Sequence, residues 1–263
     1  MINIIKADLF RILNLKVYKK TLIASLVVLI ITVVFINFKV GSISLLSFFD
    51  SSYVKREFLI SYIYEGGFNA ALKSSFSTIF FMIIISVILT SSVIWDKLKS
   101  GIYKTTVPYG YKRYKIYIGN LIAIMISMSF ILISVFLVSF IITKILYFDE
   151  IIITSKGITL IIVSLCTYLI GVFSIISLYS LITLICKSTW FTICIFIIFT
   201  FITTVLGSII PINIQNFMIV PLLRLVASEN SFEFFYIGIK NGLILGLVFI
   251  TLGVFIFNKE EIR

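Results

Sequence analysis

Apolar runs of membrane-crossing length alternate with polar connectors along this chain. The first uncharged run covers about residues 21–38. At roughly 1.5 Å per residue it just reaches across the hydrocarbon layer of a bilayer. Further runs cover about residues 74–95, 121–142, 158–185, 190–210 and 237–257. The pattern predicts an all-α polytopic membrane protein with six transmembrane helices in one transmembrane domain, residues 1–263. Ahead of the first run, Ile5, Leu9, Ile12 and Leu13 recur at helical spacing, and Lys6, Asp8, Arg11, Lys16, Lys19 and Lys20 mostly take the other face. Residues 1–20 are therefore expected to lie as an amphipathic helix in the membrane interface, retained and not cleaved as a signal peptide. Residues 211–236 are too polar to span and too apolar for an ordinary loop, and Pro221 interrupts them. They are expected to form a half-inserted helical segment at the outer leaflet.

Composition agrees with this class. Hydrophobic residues make up 60% of the chain and charged ones 13%, against an apolar share of roughly 45–50% in soluble domains. The net charge of +11 has to be read by side of the membrane. With the N-terminus in the cytoplasm, 14 of the 22 Lys and Arg residues fall inside, with 4 of the 11 acids. That asymmetry favours cytoplasmic termini and accounts for the charge without a nucleic-acid partner.

Much of the inside charge sits in residues 96–120, between the second and third spans. Lys97, Lys99, Lys104, Lys112, Arg113 and Lys115 face a single acid there, Asp96, and Gly101 and Pro108 break the stretch into short pieces. A loop of this kind is where a cytoplasmic partner can push on a membrane protein, although the same cations could serve topology and anionic lipid alone.

Candidate chemistry is sparse. The chain has no histidine, and Cys166, Cys186 and Cys194 lie in or beside apolar runs without a C-x-x-C pair. No cofactor or metal is expected to bind, and no disulfide is expected. There is no phosphate-binding G-x-x-x-x-G-K-[ST], no G-x-S-x-G and no carboxylate within a span, so neither hydrolysis nor proton coupling by this chain is expected. Two stripes stand out. Ser164, Thr167, Tyr168 and Ser174, with Gly171, share one side of the fourth span, which suits helix packing or a substrate path. Gly238, Gly242 and Gly246 recur every fourth residue in the last span and make a smooth face for a neighbouring helix, in this chain or in a second one.

The amphipathic N-terminal helix, the six spans, the connection SGIYKTTVPYGYKRYKIYIGNLI and the half-inserted segment together resemble the permease subunit of a type-2 ABC exporter. Gly101, Pro108, Arg113 and Gly119 resemble that family's glycine, proline, arginine and glycine at this connection. Two extra residues separate Pro108 from Arg113, and Asn120 stands where the family carries lysine. The resemblance implies a short coupling helix fitting a separate ATP-binding cassette ATPase, with Gly101, Tyr103, Lys104, Thr105, Pro108 and Arg113 at the contact. It also implies a second permease, identical or similar, with ATP and magnesium held on the ATPase. The expected function is export of a hydrophobic or amphipathic substrate, such as an antimicrobial peptide, across the plasma membrane of a Gram-positive bacterium. The rival expectations are a stand-alone immunity or structural membrane protein without ATP coupling, and an intramembrane enzyme.

Overall fold

A computed structural model of the chain describes residues 2–37, 79–103, 112–146, 155–207 and 232–259. Lys104, Thr105 and Pro108 of the expected partner contact lie outside these residues, as do residues 211–231 of the expected half-inserted segment. Among the described residues the chain forms seven long helices and no strand. We number them α1 (Ile2–Asn14), α2 (Lys16–Asn37), α3 (Ile79–Lys99), α4 (Arg113–Leu146), α5 (Ser155–Cys186), α6 (Thr189–Gly207) and α7 (Phe232–Lys259).

Isoleucine leads these segments, followed by leucine, phenylalanine and valine, and of these isoleucine, phenylalanine and valine are indifferent helix formers in water. In lipid the backbone has no other way to satisfy its N–H and C=O groups, so apolar segments of this length become helices. The three prolines, Pro108, Pro211 and Pro221, fall outside all seven. Four helices are long and apolar enough to cross a membrane, over Phe81–Lys99, Arg113–Val138, Ile162–Cys186 and Phe235–Lys259. The chain is in this sense a multi-pass helical membrane protein. α2 and α6 occupy the other two predicted runs with 22 and 19 residues.

Helix ends differ from the hydropathy boundaries where charge is involved. α3 runs past Trp95 and Asp96 to Lys99, and α4 already begins at Arg113. The basic connection therefore shrinks to residues 100–112, with its flanking cations built into helix termini. α3 stops because Gly101 takes a left-handed conformation (φ 68°), open to glycine at little cost. α5 and α6 are joined by a two-residue turn in which Lys187 does the same at φ 47°. Its N–H donates to the Thr183 carbonyl at 2.9 Å. Residues 232–236, expected in the half-inserted segment, are the first residues of α7.

The helices pack into one bundle. Ile83, Val87 and Leu89 of α3, Ile124 and Ile131 of α4, and Ile175 and Ile176 of α5 form its centre. α7 lies along α5, and α1 lies against α4. The outward faces of α6 and α7 carry Trp190, Phe191, Phe201, Leu247 and Phe255, all exposed, as lipid contact requires. α1 buries Ile4 and Ile12 against the bundle and leaves Ile2 and Phe10 outside. Asp8 stands midway on the Ile4–Ile12 row and turns inward with them. The hydrophobic pattern had placed it on the opposite, polar face.

One end of the bundle gathers the cations. Lys16, Lys19 and Lys20 open α2, Lys97 and Lys99 close α3, Lys112, Arg113 and Lys115 open α4, Lys187 joins α5 to α6, and Lys259 closes α7.

Candidate functional site

The cationic end encloses a buried polar relay that ties five helices and the connection after α3 together. Its centre is Lys97 on the last turn of α3, only 2% exposed. A lone buried ammonium would be costly, and here it is compensated twice. Its Nζ lies 2.6 Å from Oδ1 of Asp8 on α1. The same Nζ donates to the side-chain oxygen of Asn120 on α4 at 2.8 Å. That bond fixes the amide orientation, leaving the Asn120 Nδ2 to donate to the Tyr103 hydroxyl at 3.1 Å. Tyr103 belongs to the connection itself, two residues past the glycine that ends α3.

The second half of the relay is aromatic. The Tyr103 ring meets Phe257 of α7 edge-on, centroids 5.0 Å apart. Phe257 also stacks on Tyr117 of α4, centroids 5.6 Å apart. The Tyr117 and Ser180 hydroxyls are 2.7 Å apart. Ser180 of α5 has one proton, and it goes to the Ser177 carbonyl at 2.7 Å, so Tyr117 is the donor. α7 is drawn in close because position 253 is glycine: a Cβ there would strike the Tyr117 hydroxyl and ring. Gly242 and Gly246 repeat the device higher up, where a Cβ would come within 2.9 Å of Ile170 and 2.7 Å of Phe173 on α5. The glycine face of α7 thus packs within this chain, and Gly238 is buried on the same helix.

Electrostatically the relay is lopsided. Oδ2 of Asp8 is buried with no hydrogen-bond partner, so one carboxylate oxygen alone holds the ion pair. Burial, then the nearby Asp8 carboxylate, push the Tyr103 phenol well above its ordinary range, and the group stays neutral at any physiological pH. Among the described residues no group of three or more His, Cys, Asp or Glu is placed to hold a metal ion. The arrangement joins Tyr103, directly or through Asn120 and Lys97, to side chains on α1, α3, α4 and α7.

Of the residues expected at a partner contact, Gly101 shapes the turn and is half-exposed. Tyr103 is 2% exposed and points into the bundle. Arg113 donates to the Asn258 carbonyl at 3.1 Å, a cation on the last turn of α7 where the helix dipole favours one. The stripe on α5 is wholly interior: Ser164, Thr167, Tyr168 and Ser174 are all buried. The Thr167 hydroxyl donates to the Val163 carbonyl at 2.8 Å and the Ser174 hydroxyl to the Gly171 carbonyl at 2.7 Å, bonds within their own helix. Cys166, Cys186 and Cys194 are free thiols.

Asp8, Lys97, Asn120 and Ser180 are functional candidates that pattern alone does not single out. A faint signal existed for Asp8, the one acid in a basic N-terminal helix, spaced four residues from Ile4 and from Ile12. Comparison with protein-family models, with curated proteins and with solved structures finds no match to this chain.

Proposed function

We propose that the chain is the permease subunit of an ATP-driven exporter, pushed through its α3–α4 connection by a separate ATPase. The observation that carries the proposal is the relay: the one cation-rich connection between long apolar helices is joined at its root to α1, α4, α5 and α7. A partner pressing on residues 100–112 would act on five of the seven helices at once. In this reading α2 and α6 complete six spans, the cation-rich end and both termini face the cytoplasm, and Lys104, Thr105 and Pro108 meet the ATPase. Tyr103 acts from inside, setting where that contact sits. Residues 211–231 form the half-inserted outer segment.

The cargo is hydrophobic or amphipathic, as an antimicrobial peptide is, because among the described residues the bundle interior offers hydroxyls and aromatic rings but no charge at mid-depth. It crosses between this permease and a second one in the plasma membrane of a Gram-positive bacterium. No cofactor is held by this chain, and ATP and magnesium belong to the ATPase.

Co-purification tests the reading. The tagged chain, extracted from cells that co-express candidate ATPases, is expected to retain one of them. Lys104→Glu should weaken that capture, and Tyr103→Ala should preserve capture while lowering transport. Export or immunity conferred by the chain with every candidate ATPase deleted would overturn the proposal in favour of a stand-alone protein.

A further inference from the structure

We infer that α1 is a clasp on the α3–α4 connection, fastened by the Asp8–Lys97 pair, so that release of α1 and displacement of Tyr103 are one event. The functional consequence rests on the coupling role proposed above, but the clasp itself does not.

Three observations carry it. First, Asp8 is the acid that compensates Lys97, at 2.6 Å, on a helix that otherwise meets the bundle through apolar side chains, the buried Ile4 and Ile12 and the partly buried Leu9 and Leu13. Secondly, the fastening is single. Oδ2 of Asp8 has no hydrogen-bond partner, so Oδ1 alone meets the Lys97 ammonium. A pair made through one oxygen opens by breaking one contact, where a bidentate bridge has two to break. Thirdly, the pair and the loop share an intermediary. Asn120 accepts from Lys97 and donates to Tyr103, so a Lys97 ammonium that follows Asp8 or turns to water removes the bond orienting the amide toward Tyr103.

The geometry also supplies a lock. A Cβ at Gly119 would stand 3.7 Å from the Ile4 Cβ. Bridged cysteines need a Cβ separation of roughly 3.5–4.5 Å. Ile4→Cys with Gly119→Cys, in a chain whose native cysteines are replaced by serine, therefore has the Cβ separation needed to close α1 onto α4.

The experiment measures maleimide labelling of the full-length detergent-solubilised chain, with single reporter cysteines Ile4→Cys on α1 and Ile102→Cys on the connection. Asp8→Asn is expected to speed labelling at both positions together, by about tenfold, because each reports the same opening. The exchange Asp8→Lys with Lys97→Asp should return both to the parent rate, and it carries the test if Asp8→Asn fails to accumulate. Unchanged labelling in Asp8→Asn, or acceleration at position 4 without position 102, overturns the clasp. So does an exchange variant that labels as fast as Asp8→Asn.

None of these readouts needs an ATPase, so they stand whether or not the coupling role survives. Oxidation of the Ile4→Cys/Gly119→Cys chain then asks what the clasp does. Transport is expected to stop with the ATPase still bound and to resume on reduction. Full transport with the bridge closed would show that release is no part of the work cycle, and a chain that never binds an ATPase refutes the coupling reading alone.

Discussion

The bundle satisfies its buried polar groups in two different ways, and the contrast separates packing from mechanism. Along α3 and α5, Ser86, Thr90, Ser91 and Ser174 are buried, and each hydroxyl donates to a carbonyl three or four residues earlier in its own helix. These bonds add nothing between helices. Their use is size, since small residues let α3 and α5 approach closely. At the cationic end the bonds run between elements: Asp8 to Lys97, Lys97 to Asn120, Asn120 to Tyr103, Tyr117 to Ser180. Losing a member of the first set costs a side chain. Losing a member of the second leaves another group stranded.

The largest effect expected from that difference is at Lys97. Lys97→Met abandons the Asp8 carboxylate with no cation, and breaking a buried pair from one side costs about 3–5 kcal/mol. Asp8→Leu strands the ammonium and should cost a similar amount. The double variant removes both charges and should recover most of the loss. Thermal unfolding of the purified chain in detergent measures the cycle, and a double variant as unstable as the sum of the singles would show that the two side chains do not act together.

A steric version of the comparison comes next. Gly253→Ala sets a methyl against a Tyr117 ring that Phe257 and Ser180 hold in place, so the ring cannot yield, and overpacking of this kind costs about 1–3 kcal/mol. Gly242→Ala meets the Cγ2 methyl of Ile170 at 2.9 Å and the Ile170 carbonyl only at the ordinary contact distance of 3.5 Å, and should cost less. Equal losses in the same unfolding measurement would mean that the relay is no stiffer than ordinary helix packing.

How much of this was legible beforehand follows from the range of the interactions. Hydropathy is a local average, and it located the apolar segments now seen as α2 to α7, including the helix on which the α7 glycines lie. It missed helix ends wherever charge was absorbed into a terminus. α4 begins at Arg113 and not near Leu121 because the first turns of a helix accept cations when they sit at a headgroup level or bond elsewhere, as Arg113 does with Asn258. The relay was beyond reach because no periodicity relates Asp8 to Lys97 or Tyr117 to Ser180. A tyrosine in a lysine-rich loop looks like a surface residue, and Tyr103 is interior only because Asn120 and Phe257 arrive from distant parts of the chain. The hydroxyl stripe of α5 was visible, but its meaning was not, since helix packing and a polar path place the same small residues on one face.

The smallest expected effects bear on that last ambiguity. Tyr117→Phe removes a donor from the relay and leaves the Ser180 oxygen short of one bond, a net loss of about 0.5–1.5 kcal/mol. Ser174→Ala is its counterpart in the seam. The Ser174 hydroxyl donates only to Gly171, at 2.7 Å, and that carbonyl keeps its helical bond when the hydroxyl is gone. No buried group is stranded, the cavity is smaller than a methyl, and stability should change by less than about 0.5 kcal/mol, as at sites without a special role. Transport by Ser174→Ala should match the parent if the seam is packing alone. A variant that folds normally and yet fails to move cargo would place the α5 hydroxyls on the substrate's route, and the division between a mechanical end and an inert seam would then have to be redrawn.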